Sequence, residues 1–294
     1  MPRHSFRPLL PAALLLIAAC RGDAPWDRPD WRPAQPPQRI VAASILATEV
    51  LLEIAPRDRI AAVHELAADP RYSLVTAEVA GLPTVAAAPE QLLAARPDLV
   101  IVDAFTRAET LALLRQAGVP VVRTIDAAGF DDIASNVRRI GRVCHLDAAA
   151  DAVVARMDAA LRALRPGAAD AGSWRLCSLD GALHTYGRGS LFDAVLTVAG
   201  ATNVAAEHGV GPFRRLDAEA VLAWRPDALV IAAPPDATAR MGDWLRQHPG
   251  LRLLPCVQHE RLLAIPAPLL GTTSPRLVET AAFVQRTLRG WGRP

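Results

Sequence analysis

Thirteen residues constrain this chain more than any others. Glu90 to Val102 reads EQLLAARPDLVIV, and 129 positions later Glu219 to Ile231 reads EAVLAWRPDALVI, with Glu, Leu, Ala, Arg, Pro and Asp at matching places. Each copy predicts a short helix, a Pro-Asp turn and an apolar run suited to a strand buried on both faces. Two copies of one helix–turn–strand unit, so far apart, predict two similar α/β lobes.

The same grammar runs on either side of the repeat. Arg39 to Ser44, Ile60 to Val63, Leu82 to Val85 and Val119 to Val122 are apolar runs of strand length. Thr48 to Ile54, Arg107 to Ala117 and Phe130 to Gly141 carry helical spacing. Strands and helices alternating in this way predict parallel, right-handed βαβ units. The rhythm breaks at Leu146 to Leu164, one helical pattern ended by Pro166-Gly167. At about 1.5 Å per residue that helix would be on the order of 28 Å long, the width of a small domain. We read it as a rigid connector, which predicts little hinge motion on ligand binding. The expected organisation is an N-terminal lobe over 39–145, a connecting helix over 146–166 and a C-terminal lobe over 167–294. In the second lobe Arg175 to Leu179 and Leu262 to Ile265 read as strands, and Ser190 caps a helix closed by Gly200. Ser274 is expected to cap the last helix, Pro275 to Arg289.

Residues 1–20 read as a targeting segment. Arg3 and Arg7 supply a positive start, and Leu9 to Ala19 is an apolar run too short to span a bilayer. It ends Leu16-Ile17-Ala18-Ala19-Cys20, and residues 21–38 follow with five prolines, the composition of a semi-extended tether. Beyond Cys20 the cysteines are Cys144, Cys177 and Cys256, an odd number. A Cys177–Cys256 bridge and single buried thiols both stay open.

Several function classes fall away. The formal charge is +2 and the basic residues are scattered, with no Lys/Arg block to mark a nucleic-acid surface. His64-Glu65 begins like a zinc-protease motif, but position 68 is alanine. Gly187-Arg188-Gly189 lacks the third glycine of a dinucleotide loop, and neither a Walker A loop nor a GxSxG elbow occurs. Several convergent His, Asp and Glu residues, as a bare metal ion requires, cannot be assembled, so no metal site is expected. The chain does not read as an enzyme.

Twin α/β lobes, a helical connector and a Pro-rich tether together resemble the substrate-binding lipoproteins of bacterial ABC importers. Within that group the resemblance is to the branch with a helical backbone, which handles cobalamin, haem and ferric siderophores, and it is closest to the cobalamin-binding members. RIVAASILATEVLLEI is similar to that family's opening strand and helix, the two repeat copies to its paired Pro-Asp segments, and Thr273-Ser274-Pro275-Arg276 to the start of its closing helix. The stretch ending at Cys20 resembles a lipobox, which implies a diacylated Cys20 as mature N-terminus and a protein tethered at the periplasmic or cell-surface face of a membrane. The resemblance also implies a monomer that docks on an ABC permease dimer with its ATPase subunits. Glu90 and Glu219 would meet arginines of the paired permease subunits.

In parallel α/β sheets ligands bind beyond the carboxyl ends of the strands, and in a two-lobed binder those ends face each other across a cleft. The expected ligand-binding residues are therefore Ser44, His64, Tyr72, Asp103 and Phe105 from the first lobe and Tyr186, Phe213 and Leu269 from the second. Flat apolar rings suit a corrin or a porphyrin. A tyrosine or histidine that coordinated iron would point to haem, whereas cobalamin needs no protein ligand to its metal. The expected function is thus capture of a metal chelate, cobalamin first, with haem or a ferric siderophore as the alternative and no cofactor beyond the cargo. A hydrolase using Asp103 and His64 is the reading from a different class.

Overall fold

The computed structural model describes residues 24–164, 174–233 and 237–292. The targeting segment, Cys20 and the turn that ends the connector lie outside the described residues. None of the described helices is long and apolar enough to cross a membrane.

Two parallel sheets carry the fold. In the first lobe β1 (Ile40–Ala42), β2 (Ile60–His64), β3 (Thr84–Val85), β4 (Leu99–Val102) and β5 (Val121–Arg123) lie in the order β3-β2-β1-β4-β5. In the second lobe β6 (Arg175–Ser178), β8 (Thr202–Asn203), β10 (Ala228–Ala233) and β11 (Leu262–Pro266) lie in the order β11-β10-β6-β8. Between them in sequence, β7 (His184–Thr185) and β9 (Arg214–Arg215) form a separate antiparallel ribbon. Taken from its other end, the second sheet runs β8-β6-β10-β11 and matches β2-β1-β4-β5 strand for strand. The two repeat copies end in β4 and β10, which hold the same place in the two sheets.

The repeat has a local physical reason. Its helices are α2 (Pro89–Ala94) and α8 (Ala218–Trp224). Each ends on an arginine in the left-handed conformation, Arg96 at φ 48° and Arg225 at φ 47°. The proline that follows disfavours the right-handed helical conformation there, and the helix stops. The carbonyls left over at the helix end are then taken by an arginine at the head of the lobe's first strand. Arg39 donates to the carbonyls of Ala95 at 2.7 Å and Arg96 at 2.9 Å. Arg175 donates to those of Trp224 at 3.1 Å and Arg225 at 3.3 Å. The repeat's aspartate closes the clamp: Asp98 accepts from the Arg39 backbone N–H at 2.9 Å, Asp227 from that of Arg175 at 2.8 Å.

The remaining helices are α1 (Ile45–Ile54), α3 (Ala108–Gln116), α4 (Phe130–Cys144), α5 (Asp147–Leu164), α6 (Leu191–Ala199), α7 (Val204–Glu207), α9 (Ala237–Gln247), α10 (Pro255–Gln258), α11 (Ala267–Gly271) and α12 (Leu277–Trp291). On its outer face the first sheet buries Val41, Val100 and Val102 with Leu92, Leu111 and Leu114. The second buries Cys177 and Leu229 with Val221, Leu245 and Leu254. The inner faces do not form two further cores. One continuous apolar cluster runs from Ile40 and Ile101 through Val50, Ile140 and Val154 to Leu196, Val230 and Val284.

The long helix α5 is therefore not a free strut. It packs along α4 and also against α1, α6 and α12. A Cβ on Gly141 of α4 would stand 2.3 Å from that of Ala150 on α5. Arg156 of α5 pairs with Glu53 of α1 at 2.6 Å. Swinging the lobes apart would open this shared core to water, so hydrophobic burial opposes large closure motions.

The described cysteines Cys144, Cys177 and Cys256 are free and buried, so no Cys177–Cys256 bridge forms. Burial pushes the Cys144 and Cys177 thiols up to about 12 and that of Cys256 to about 11, which makes them poor nucleophiles.

Candidate functional site: the carboxyl ends of the strands

The first lobe brings Ser44, His64 and Asp103 to the carboxyl ends of neighbouring strands. All three side chains are already committed to local hydrogen bonds. Ser44 is buried and caps α1, its hydroxyl accepting from the Ala47 N–H at 3.1 Å, and Thr48 Oγ1 donates to its carbonyl at 2.9 Å. His64 is half-buried, and its Nδ1 accepts from the Leu66 N–H at 3.2 Å, which puts the proton of the neutral ring on Nε2. Burial holds the His64 imidazole below its ordinary pKa against the opposing pull of Glu65 and Asp103, so it stays neutral at physiological pH. Asp103 folds its own loop, accepting from the Phe105 N–H at 3.0 Å and the Thr106 hydroxyl at 2.9 Å. That turn presents the Phe105 ring to solvent, 77% exposed, while Tyr72 is 50% exposed under the Arg71 guanidinium.

The second lobe builds an aromatic platform on the β7–β9 ribbon. His184 stacks on Phe213 with ring centroids 4.9 Å apart and planes within 19°. Tyr186 lies 5.4 Å from Phe213 and 6.4 Å from Phe192. Tyr186 and Phe213 remain 42% and 57% exposed, so one face of the cluster is open. The ribbon is held rigidly to β6 and β8. The Tyr186 N–H donates to Ser178 Oγ at 3.1 Å, and Asn203 Nδ2 donates to the Tyr186 carbonyl at 3.0 Å. Gly187 lets the ribbon close up, since a Cβ there would meet the Val210 carbonyl oxygen at 2.3 Å. Asp180 accepts from the His184 N–H at 2.8 Å and faces its Nδ1 at 3.0 Å. Burial alone would raise the Asp180 pKa. The hydrogen bonds from His184 and Ala182 outweigh it, and the carboxyl sits below its ordinary value.

Leu269 lies half-buried on α11 against the shared core, with its carbonyl accepting from Thr280 Oγ1 at 2.5 Å. Among the described residues no aromatic pair joins the two lobes.

What does join them is a buried carboxylate that the sequence pattern did not single out. Glu49 of α1 is buried, and its Oε2 accepts from Ser274 Oγ and, at 3.1 Å, from Thr272 Oγ1. Glu49 and Ser274 stand 225 positions apart. This contact also displaces the start of the last helix. Ser274 spends its hydroxyl on Glu49 and on the Arg276 N–H, and α12 begins at Leu277 with Arg276 at its N-cap position rather than Ser274. A glutamate on the apolar side of TEVLLEI was the available signal.

Burial raises the Glu49 pKa above its ordinary value, opposed by hydrogen bonds from Ser274 and Thr272 and by Arg276. A carboxyl whose pKa is higher folded than unfolded contributes stability that is fully present below the unfolded pKa and is lost as pH rises through the folded one. Glu49→Gln is therefore expected to match the wild type near pH 4 and to become the more stable protein as pH rises to 7.5. Glu49→Ala leaves two buried hydroxyls short of their acceptor and is expected to cost about 1–3 kcal/mol. Denaturant melts across that pH range check both, and a wild type that gains on Glu49→Gln with rising pH would contradict the raised pKa.

The periplasmic binding protein family model matches residues 40–269, most of the chain, and the chain belongs to that family. The family and its structural neighbours are solute-binding proteins and not enzymes, which removes the hydrolase reading of Asp103 and His64. A cobalamin-binding protein of Halobacterium salinarum is 27% identical over 204 residues, 68% of this chain and 55% of the relative. An uncharacterized ABC transporter substrate-binding lipoprotein of Bacillus subtilis, YvrC, is 25% identical over 199 residues, 65% of this chain and 61% of the relative. The matches thus span less than two thirds of these curated relatives. Among solved structures, the periplasmic heme-binding protein RhuT from Roseiflexus sp. RS-1 in apo form shares the fold, with a TM-score of 0.73 and 24% identity over 85% of this chain and 98% of that one.

Proposed function

We propose that this chain is the substrate-binding component of an ABC importer and that it captures a large, flat metal chelate, cobalamin foremost. The observation that carries the reading is the open platform of Tyr186 and Phe213, held rigid by Ser178 and Asn203 at the carboxyl end of the second sheet. Preordered rings with one free face bind a planar macrocycle at little cost in side-chain entropy. Cobalamin brings its own metal ligands, so the platform needs to offer only its open ring faces. The curated relative named for cobalamin binding points the same way.

Haem is the second reading, favoured by one observation. The Asp180–His184 pair leaves Nε2 of the ring as the free nitrogen, the arrangement in which a carboxylate orients a metal-ligating imidazole. Titration with cyanocobalamin, haemin and a siderophore panel, followed by tryptophan quenching, separates the two. A haemin complex whose Soret spectrum changes in His184→Ala would move the assignment to haem. Binding of all probes weaker than about 100 μM, near −5.5 kcal/mol, would sink the importer reading.

The anchor is part of the same proposal. Acylation at Cys20 would tether the domain to a membrane surface. Cys20→Ser is expected to move the protein from the membrane to the soluble fraction, and a wild type that incorporates no labelled palmitate would remove the anchor from the proposal.

A further inference from the structure

Away from the aromatic platform, a groove of about 920 Å³ runs along the open edge of β5. It lies between α3 and α4 and is closed on one side by the turn Pro25–Asp27, which packs on β5. Its volume is in the range of sites for small organic ligands, roughly 300–1,000 Å³.

The groove carries a surplus of positive charge. Five arginines line it, Arg115, Arg123, Arg138, Arg139 and Arg142, against two aspartates, Asp27 and Asp126. Arg115 is neutralised by Asp27 at 2.7 Å, and Arg138 pairs with Asp151 at 3.1 Å. Among the described residues Arg123, Arg139 and Arg142 have no carboxylate within 4 Å. The Arg139 guanidinium reaches only neutral carbonyls, those of Pro29 at 2.8 Å, Arg28 at 3.4 Å and Trp26 at 3.5 Å.

A second observation is independent of the charge count. Arg139 Nε and Trp26 Nε1 are buried donors without an acceptor, and both residues line the groove. Unpartnered buried donors are rare in native proteins and call for a missing acceptor. Burial and the neighbouring Arg142 both act against the Arg139 charge, which an anion between them would relieve. The lining is not wholly polar, since Trp26, Leu111, Val121 and Ile125 add apolar surface. Phosphate oxygens would pair with the guanidinium groups that lack a carboxylate, and the first acyl methylenes of a lipid would cover the apolar wall.

The position selects the source of that phosphate. The groove's rim is the turn Pro25–Asp27, which follows the apolar segment ending at Cys20 within a few residues of sequence. We infer that the groove binds the phosphate headgroup of an anionic phospholipid, fixing the orientation of the domain on the membrane that its N-terminal segment addresses. The inference rests on the reading of that segment as membrane-targeting, but not on acylation or on the identity of the cargo.

The test uses the full chain with monomeric dihexanoyl phosphatidylglycerol, dihexanoyl phosphatidylcholine and glycerol 1-phosphate as probes, titrated calorimetrically. Saturable binding of the glycerol lipid, at least roughly tenfold tighter than the choline lipid, is expected. Arg123→Glu with Arg142→Glu should weaken it by roughly tenfold or more. Arg162→Glu with Arg286→Glu, the same charge change at exposed sites on α5 and α12, should leave it within about twofold. Equal losses in the two double variants would mean diffuse attraction and overturn the site. Absence of saturable lipid binding would overturn it as well. Glycerol 1-phosphate bound as tightly as the lipid would overturn the membrane source. Cyanocobalamin affinity, measured in the same variants, should not move, so failure here is distinguishable from failure of the cargo reading.

Discussion

Replacing Glu90 and Glu219 together by arginine is expected to abolish transport while leaving ligand affinity and melting temperature nearly unchanged. Both glutamates are exposed and occupy the second position of equivalent helices, one on each lobe. Because α2 and α8 precede strands that hold matching places in their sheets, the two carboxylates mark matching corners of the molecule. Neither makes an ion pair among the described residues, so both are available to a partner. An acidic side chain in a first turn is favoured by the helix dipole by about 0.3–1 kcal/mol, and charge reversal costs the fold no more than about twice that per site. Two separated charge pairs suit a transient contact that sets orientation more than affinity. We propose that these carboxylates dock the protein on its permease. Uptake of labelled cargo, with equilibrium binding and thermal melts in parallel, checks it. Loss of ligand binding would place the residues in the cleft, and full uptake would leave the helix dipole as their whole explanation.

The second large effect is expected at the platform. Tyr186→Ser with Phe213→Ser removes two half-exposed rings whose free faces have no partner in the folded protein. A ligand that covered roughly 100 Å² on the pair would lose about 2.5 kcal/mol at 25 cal/mol per Å², and stacking adds about 0.5–1.5 kcal/mol. Affinity for the chelate should therefore fall by roughly one hundred- to one thousandfold. Stability should fall by about 1–3 kcal/mol, because the rings also stack on His184 and Phe192, so a thermal melt must show that the double variant is folded before its affinity is read. The control is Phe105→Ser on the opposite lobe, which should cost less because a single isolated ring is lost. Unchanged affinity in the double variant would show that the cargo sits elsewhere.

Much of the architecture was legible in the residues alone. The repeat announced two lobes because its Arg-Pro-Asp turn is a local device: proline ends the helix, aspartate ties the neighbouring strand, and both act within one unit. Strand and helix periods placed β4, β10, α4 and α5 to within a few residues. The ribbon of β7 and β9 was not legible, since two-residue strands carry no period and Gly187 is needed only because Val210 lies against it.

The candidate site divides along the same line. That Tyr186, Phe213 and Phe105 stand in loops at strand ends followed from the chain order. That Ser44 caps α1, that Leu269 packs into the core, and that His184 stacks on Phe213 did not. Nor did the fusion of the lobes through Glu49 and Ser274, or the surplus of arginine along β5. The sequence by itself determined which segments become helix or strand and that the unit occurs twice, because backbone propensity and apolar period act over a few residues. Only the tertiary structure decided which side chains remain open to a ligand, because burial and hydrogen-bond partners are set by residues as far apart as Glu49 and Ser274.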